Sequence, residues 1–140
     1  MEGELRKAVL ITGPTAAGKT EIAMELYDRI GGASKATLIS IDSALVYRGM
    51  NIGTAKPHKD TLIKYPHALI DIRDPQEAYS AADFVRDADE LLYKATKEDR
   101  LPILVGGSML YIKCLRYGIS RLPKADPELR AYLEDRVEQN

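Results

Sequence analysis

Gly13-Pro14-Thr15-Ala16-Ala17-Gly18-Lys19-Thr20 fits the spacing G-x-x-x-x-G-K-[ST] and closely follows the apolar run Ala8-Val9-Leu10-Ile11, which reads as a buried strand. In such a loop successive backbone N–H groups wrap a polyphosphate, and glycines permit a curvature and closeness of approach that a Cβ would obstruct. After Thr20 the apolar residues Ile22, Ala23, Leu26 and Ile30 recur at helical spacing. The loop is therefore predicted to end at a helix N-terminus, where unpaired N–H groups and the helix dipole favour anions. Lys19 adds a positive charge, and Thr20 a hydroxyl of the kind that ligates magnesium in these loops. The predicted phosphate site thus runs unbroken from Gly13 to Thr20, including Pro14, Thr15, Ala16, Ala17 and Gly18.

Apolar runs near residues 7–12, 37–41, 68–72 and 102–105 alternate with helical patterns, which predicts an α/β fold with a parallel sheet covered on both faces. A length of 140 residues with 45% hydrophobic content suits one packed domain. Ser80 is positioned to cap a helix with Asp83 three residues on, and Phe84, Val85, Ala88, Leu91, Leu92 and Ala95 supply its stripe as far as about Asp99. Gly106-Gly107 leads from the last strand toward a helix holding Tyr111, Ile112 and Leu115; close backbone approach to a ligand is the other reading of the pair. Asp126 and Pro127 announce a final helix carrying Leu129, Leu133 and Val137, and Gly31-Gly32-Ala33-Ser34 reads as a turn.

With 20 basic and 21 acidic residues, a net charge of −1 creates no global field for nucleic acid. The single cysteine, Cys114, fits a reducing compartment and an inert thiol. Met1 to Lys7 lacks the apolar core of a signal peptide and no later run reaches membrane-span length, so the expected location is cytoplasmic. His58 and His67 show no metal-site spacing and are assigned surface or packing roles. Tyr47 is assigned to the core boundary, Lys97-Glu98-Asp99-Arg100 to a solvated helix end, and Arg48 and Lys56 either to phosphate or RNA contact or to the surface.

The second apolar run delivers Asp42 to the sheet edge where open α/β folds bind ligands. Beside a polyphosphate this carboxylate can position magnesium through water, accept a proton from a nucleophile, or simply cap a turn through Ser43. Residue types alone leave the three open.

The segment Asp42-Ser43-Ala44-Leu45-Val46-Tyr47-Arg48-Gly49-Met50-Asn51-Ile52-Gly53-Thr54-Ala55-Lys56-Pro57 closely resembles the signature of tRNA dimethylallyltransferases. Pro66 to Pro75, Tyr79 to Phe84, Val105 to Tyr111 and Leu122 to Pro127 resemble the same family in the same order, so the likeness spans almost the whole chain. It implies a nucleotide-kinase-like P-loop domain over 1–140 and transfer of a dimethylallyl group from dimethylallyl diphosphate to N6 of the adenine 3′ of certain tRNA anticodons. The loop then grips a diphosphate leaving group, with Lys19, Thr20 and magnesium stabilising its charge. Asp42 is implied as general base, and Asp42, Ser43, Ala44, Leu45, Ser108 and Arg130 match positions that touch tRNA.

Two departures stand out. Gly106-Gly107-Ser108 replaces the family's usual Gly-Gly-Thr, which preserves the hydroxyl, whether it serves a contact or a helix cap. Family members also continue well beyond Asn140 with a helical tRNA-binding insertion and later helices. The expectation is an N-terminal piece with an unpaired sheet edge that keeps the diphosphate site yet turns over tRNA poorly or not at all; full-length members are expected to be monomeric. Competing assignments are a small-molecule kinase, prenylation of free adenine nucleotides, and a non-catalytic nucleotide-binding module.

Overall fold

A computed structural model describes residues 8–13, 18–49 and 56–121. The loop centre Pro14, Thr15, Ala16 and Ala17, the signature residues Met50 to Ala55, the expected helix after Asp126 and the proposed RNA contact Arg130 lie outside the described residues.

Four strands, β1 (Val9–Ile11), β2 (Ala36–Ser40), β3 (His67–Ala68) and β4 (Leu101–Val105), form one parallel sheet in the order β1-β4-β2-β3. Four helices accompany them: α1 (Lys19–Ile30), α2 (Lys59–Lys64), α3 (Ala81–Lys97) and α4 (Met109–Arg121). The strands are mostly apolar, with Thr37 and Ser40 in β2 and His67 in β3 as the exceptions, because helices pack on both faces of the sheet. Leu38, Ile103 and Val105 point to α1, where they meet Ala23 and Tyr27. Their neighbours Ile39 and Leu104 pack on the opposite face with Phe84, Ala88 and Leu92 of α3 and Tyr111, Ile112 and Leu115 of α4. Phe84, fully buried, stacks on Tyr111 with ring centroids 4.3 Å apart.

α3 begins with the expected reciprocal cap: Asp83 N–H donates to Ser80 Oγ at 3.1 Å, and Ser80 N–H to the Asp83 carboxylate at 2.9 Å. The Ser80 N–H first, and then the Ser80 hydroxyl that also donates to it, hold the Asp83 carboxyl below the usual carboxylate range. The first helix departs from its expected stripe, because Ile22 is 55% exposed and the buried face centres on Ala23 and Tyr27. The third strand is shorter than the apolar run 68–72. Leu69 (φ 70°) and Asp71 (φ 57°) take left-handed conformations that break the pleat. The chain then runs beside 45–48 instead, with Asp71 N–H on Leu45 O at 2.9 Å, Ile72 N–H on Val46 O at 2.8 Å and an isolated Tyr47–Arg73 bridge. α2, absent from the sequence-based assignment, starts at His58, whose Nδ1 accepts Asp60 N–H at 3.2 Å.

The position of β4 sets the working edge of the sheet. Val105 is level with Ile11 on one side and Ser40 on the other, so Gly13, Gly106-Gly107-Ser108 and Asp42 all emerge together at the strands' C-terminal ends. Gly106 (φ 154°) is wedged there: a Cβ would lie 2.1 Å from Ile41 O. Gly106→Ala is expected to lower the unfolding free energy in urea by more than about 3 kcal/mol, since backbone on both sides must move. Gly49→Ala, left-handed at φ 79° but with no atom within 4 Å, is the control, with an expected loss of about 1–2 kcal/mol.

Candidate functional site

A cleft of about 430 Å³ opens at this edge. One end is formed by Gly13, Lys19 and Thr20, and the middle by Ser40, Asp42 and the Val105–Ser108 turn. Leu45, Pro57, Ile70 and His67 close the far end, and Glu21 borders it. The described ends of the phosphate loop and the acidic strand terminus, separated by more than a whole helix and strand in sequence, therefore share one cavity. Gly18 takes the left-handed conformation (φ 76°, ψ 25°) directly before α1, and its carbonyl accepts Ile22 N–H at 3.1 Å. Among the described residues no side chain caps the first N–H groups of α1, the arrangement in which a helix N-terminus receives an anion.

Asp42 combines roles that the sequence left as alternatives. Its Oδ1 accepts Ala44 N–H at 2.8 Å and Leu45 N–H at 3.2 Å, making the turn that a capping aspartate makes. Oδ2 has no hydrogen-bond partner among the described residues, and the side chain borders the cleft. One oxygen thus fixes the orientation while the other is left to meet a ligand donor. Ser108 reaches the same turn: its Oγ accepts Ser43 N–H at 2.8 Å and its own N–H donates to Ile41 O at 3.2 Å. Gly106-Gly107 serves close approach, but to protein backbone: Ile41 at Gly106, and Gly13 O, which a Cβ at Gly107 would meet at 3.2 Å.

Tyr111 lies beneath the turn at 4% exposure, and burial first, then the charges of Tyr47 and Asp42, push its phenol up to about 12. It therefore stays protonated. Lys56 leaves the RNA-contact candidates: its side chain is 5% exposed, paired with Asp71 and donating to Tyr47 O at 3.3 Å. Arg48 is half-exposed on Asp74 at 2.9 Å.

His67, assigned above to surface or packing, is the residue that sequence reasoning missed. It borders the cleft, with Nδ1 2.7 Å from Tyr65 O and Nε2 buried without a partner among the described residues. The short bond makes Nδ1 the protonated nitrogen and Nε2 an acceptor. Nothing in its spacing marked it, because pairing with Leu38 in β2 is what carries it into the cavity wall.

For magnesium, the cleft supplies the Thr20 hydroxyl with the Asp42 and Glu21 carboxylates, and the described residues contain no cluster of three or more His, Cys, Asp or Glu. This sparse oxygen set fits a magnesium ion completed by substrate phosphates and water, and does not fit zinc.

A family model for IPP transferases matches residues 45–140. The chain belongs to that family. Among solved structures it is similar to the full-length tRNA isopentenylpyrophosphate transferase of Bacillus halodurans, with 41% identity and a TM-score of 0.74 over 97% of this chain and 44% of that one. It is also similar to the tRNA delta(2)-isopentenylpyrophosphate transferase of Staphylococcus epidermidis, at 38% identity and a TM-score of 0.72 over 79% of this chain and 35% of that one. A eukaryotic dimethylallyltransferase acting on tRNA shares the fold, at 22% identity and a TM-score of 0.71 over 89% of this chain and 34% of its own. This IPP transferase family chain thus spans less than half the length of the structures it matches. Among the described residues no helix is long and apolar enough to cross a membrane.

Burial holds His67 below its ordinary value of 6.5, only partly offset by the bond to Tyr65 O. In the unfolded chain the ring takes up a proton near that value while the folded ring resists it, so stability falls as pH drops through this range. His67→Asn, which keeps a donor near the Nδ1 position, is expected to show a smaller loss of unfolding free energy between about pH 7 and about pH 5 than the parent chain. Equal losses in the two proteins would remove His67 as the cause.

Proposed function

We propose that this chain carries the diphosphate-binding and base-bearing part of a tRNA dimethylallyltransferase, with dimethylallyl diphosphate as donor, tRNA as acceptor and magnesium as cofactor. The observation that carries the reading is the single cleft shared by Lys19, Thr20 and Asp42. Its volume of about 430 Å³ lies in the range of small-molecule sites. Its cationic end, at Gly13, Lys19 and the α1 N-terminus, receives the diphosphate, and the sequence spacing assigns Pro14 to Gly18 to the same phosphate site. The apolar wall of Leu45, Pro57 and Ile70 suits a five-carbon hydrocarbon group.

In this reading the N6 amine of adenine attacks the allylic carbon as its bond to the diphosphate oxygen breaks. Lys19 and the backbone N–H groups stabilise the negative charge that grows on the departing diphosphate. Asp42 Oδ2 accepts the proton that the amine loses, which matters because the amine lone pair is delocalised into the ring. Asp42 to Leu45, Ser108 and Arg130 would face the RNA. Bound magnesium, held by the Thr20 hydroxyl and the diphosphate, would add charge neutralisation at the leaving group. The adenine must leave its stack to reach the cleft, at a cost of about a few kcal/mol.

The test is incubation with dimethylallyl diphosphate, magnesium and an anticodon stem-loop, with donor binding measured by calorimetry and prenylated adenine by mass spectrometry. Lys19→Ala is expected to weaken donor binding by at least about tenfold, the worth of a charge-assisted contact. Asp42→Asn is expected to leave donor binding intact and lower kcat by at least about 100-fold. ATP binding with phosphate transfer to a small acceptor, and no affinity for dimethylallyl diphosphate, would replace this reading by the kinase. Prenylation of AMP in preference to the stem-loop would move the acceptor to free nucleotides.

A further inference from the structure

The residue matched to an RNA contact at position 108 is hydrogen-bonded to the chain on both sides of Asp42. Ser108 N–H donates to Ile41 O at 3.2 Å, and Ser108 Oγ accepts Ser43 N–H at 2.8 Å. A second approach, Oγ to Oγ between Ser108 and Ser43, is long at 3.4 Å. Ser108 is itself anchored, because its carbonyl accepts Ile112 N–H at 3.1 Å in the first turn of α4, and Gly106 two residues earlier is wedged on Ile41.

We infer that Ser108 is a positioning residue for Asp42: its amide and hydroxyl fix the peptide units flanking the carboxylate, and so set where Oδ2 points in the cleft. The inference rests on the reading of Asp42 as the base. Among the described residues Asp42 is held only through Oδ1, by the Ala44 and Leu45 N–H groups of the same short turn. A turn closed on itself can still tilt as a unit. The bond from Ser43 to Ser108 ties it to the β4–α4 junction, which is anchored on either side by the buried residues Val105 and Tyr111. Proton removal from a weakly nucleophilic amine is sensitive to displacements of about 1 Å, so this tie acts on the chemical step rather than on binding.

The test is amide hydrogen exchange by NMR on this chain, followed by prenyl-transfer kinetics. In Ser108→Ala the Ala44 and Leu45 amides are expected to exchange about tenfold faster while the core amide of Leu104 is unchanged, and Ser108→Thr is expected to restore protection. Kinetically, Ser108→Ala is expected to lower kcat about tenfold with KM for donor and for RNA within about twofold, again restored by threonine. Unchanged Ala44 and Leu45 protection in Ser108→Ala, or amides that already exchange as free peptide groups in the parent chain, overturns the inference. A rise in KM for RNA at constant kcat overturns it in favour of direct contact. Because exchange needs no substrate, the amides decide the positioning even where this chain transfers no prenyl group, whereas absence of dimethylallyl diphosphate binding defeats the functional reading alone.

Discussion

Gly106 can sit where it does only because it lacks a side chain: the Ile41 backbone occupies the place where a Cβ would be. That contact lets the end of β4 close against the end of β2, continued by Ile41 N–H on Val105 O at 2.8 Å and Ser108 N–H on Ile41 O. On the other side Gly106 N–H reaches Ile11 O at 3.1 Å, so one residue links the exits of three strands. Everything at the cleft inherits its position from this junction. A β-carbon there would displace the chain that leads into the Asp42 turn.

The cleft built on that junction is electrostatically divided. Donors and positive charge gather at the α1 N-terminus and Lys19, while acceptors gather at Asp42 and the Nε2 of His67. Such a division suits the proposed pair of ligands, an anionic leaving group and an amine with protons to give.

Much of this could be read from residue order. The α3 cap at Ser80 and Asp83, the α4 core face at Tyr111, Ile112 and Leu115, and all four strands follow from local patterns that the folded chain obeys. The misreadings have local causes too. Ile22 fits a helical stripe by spacing, yet the face that meets the sheet is the one that carries Ala23 and Tyr27. The apolar run after Ala68 looks like strand until Leu69 and Asp71 turn left-handed to satisfy the 45–48 segment. Lys56 reads as a free cation in sequence, but Asp71 captures it.

Residue order by itself determined the α/β class and the family, because both are written in short spacings whose physics is local: glycines for turns, apolar runs for strands, a hydroxyl before a helix. Tertiary structure alone decided that β4 inserts between β1 and β2, that His67 enters the cavity wall and that Ser108 holds the Asp42 turn. Parallel strand order comes from pairing between distant segments, and no period along the chain encodes which strand lies beside which.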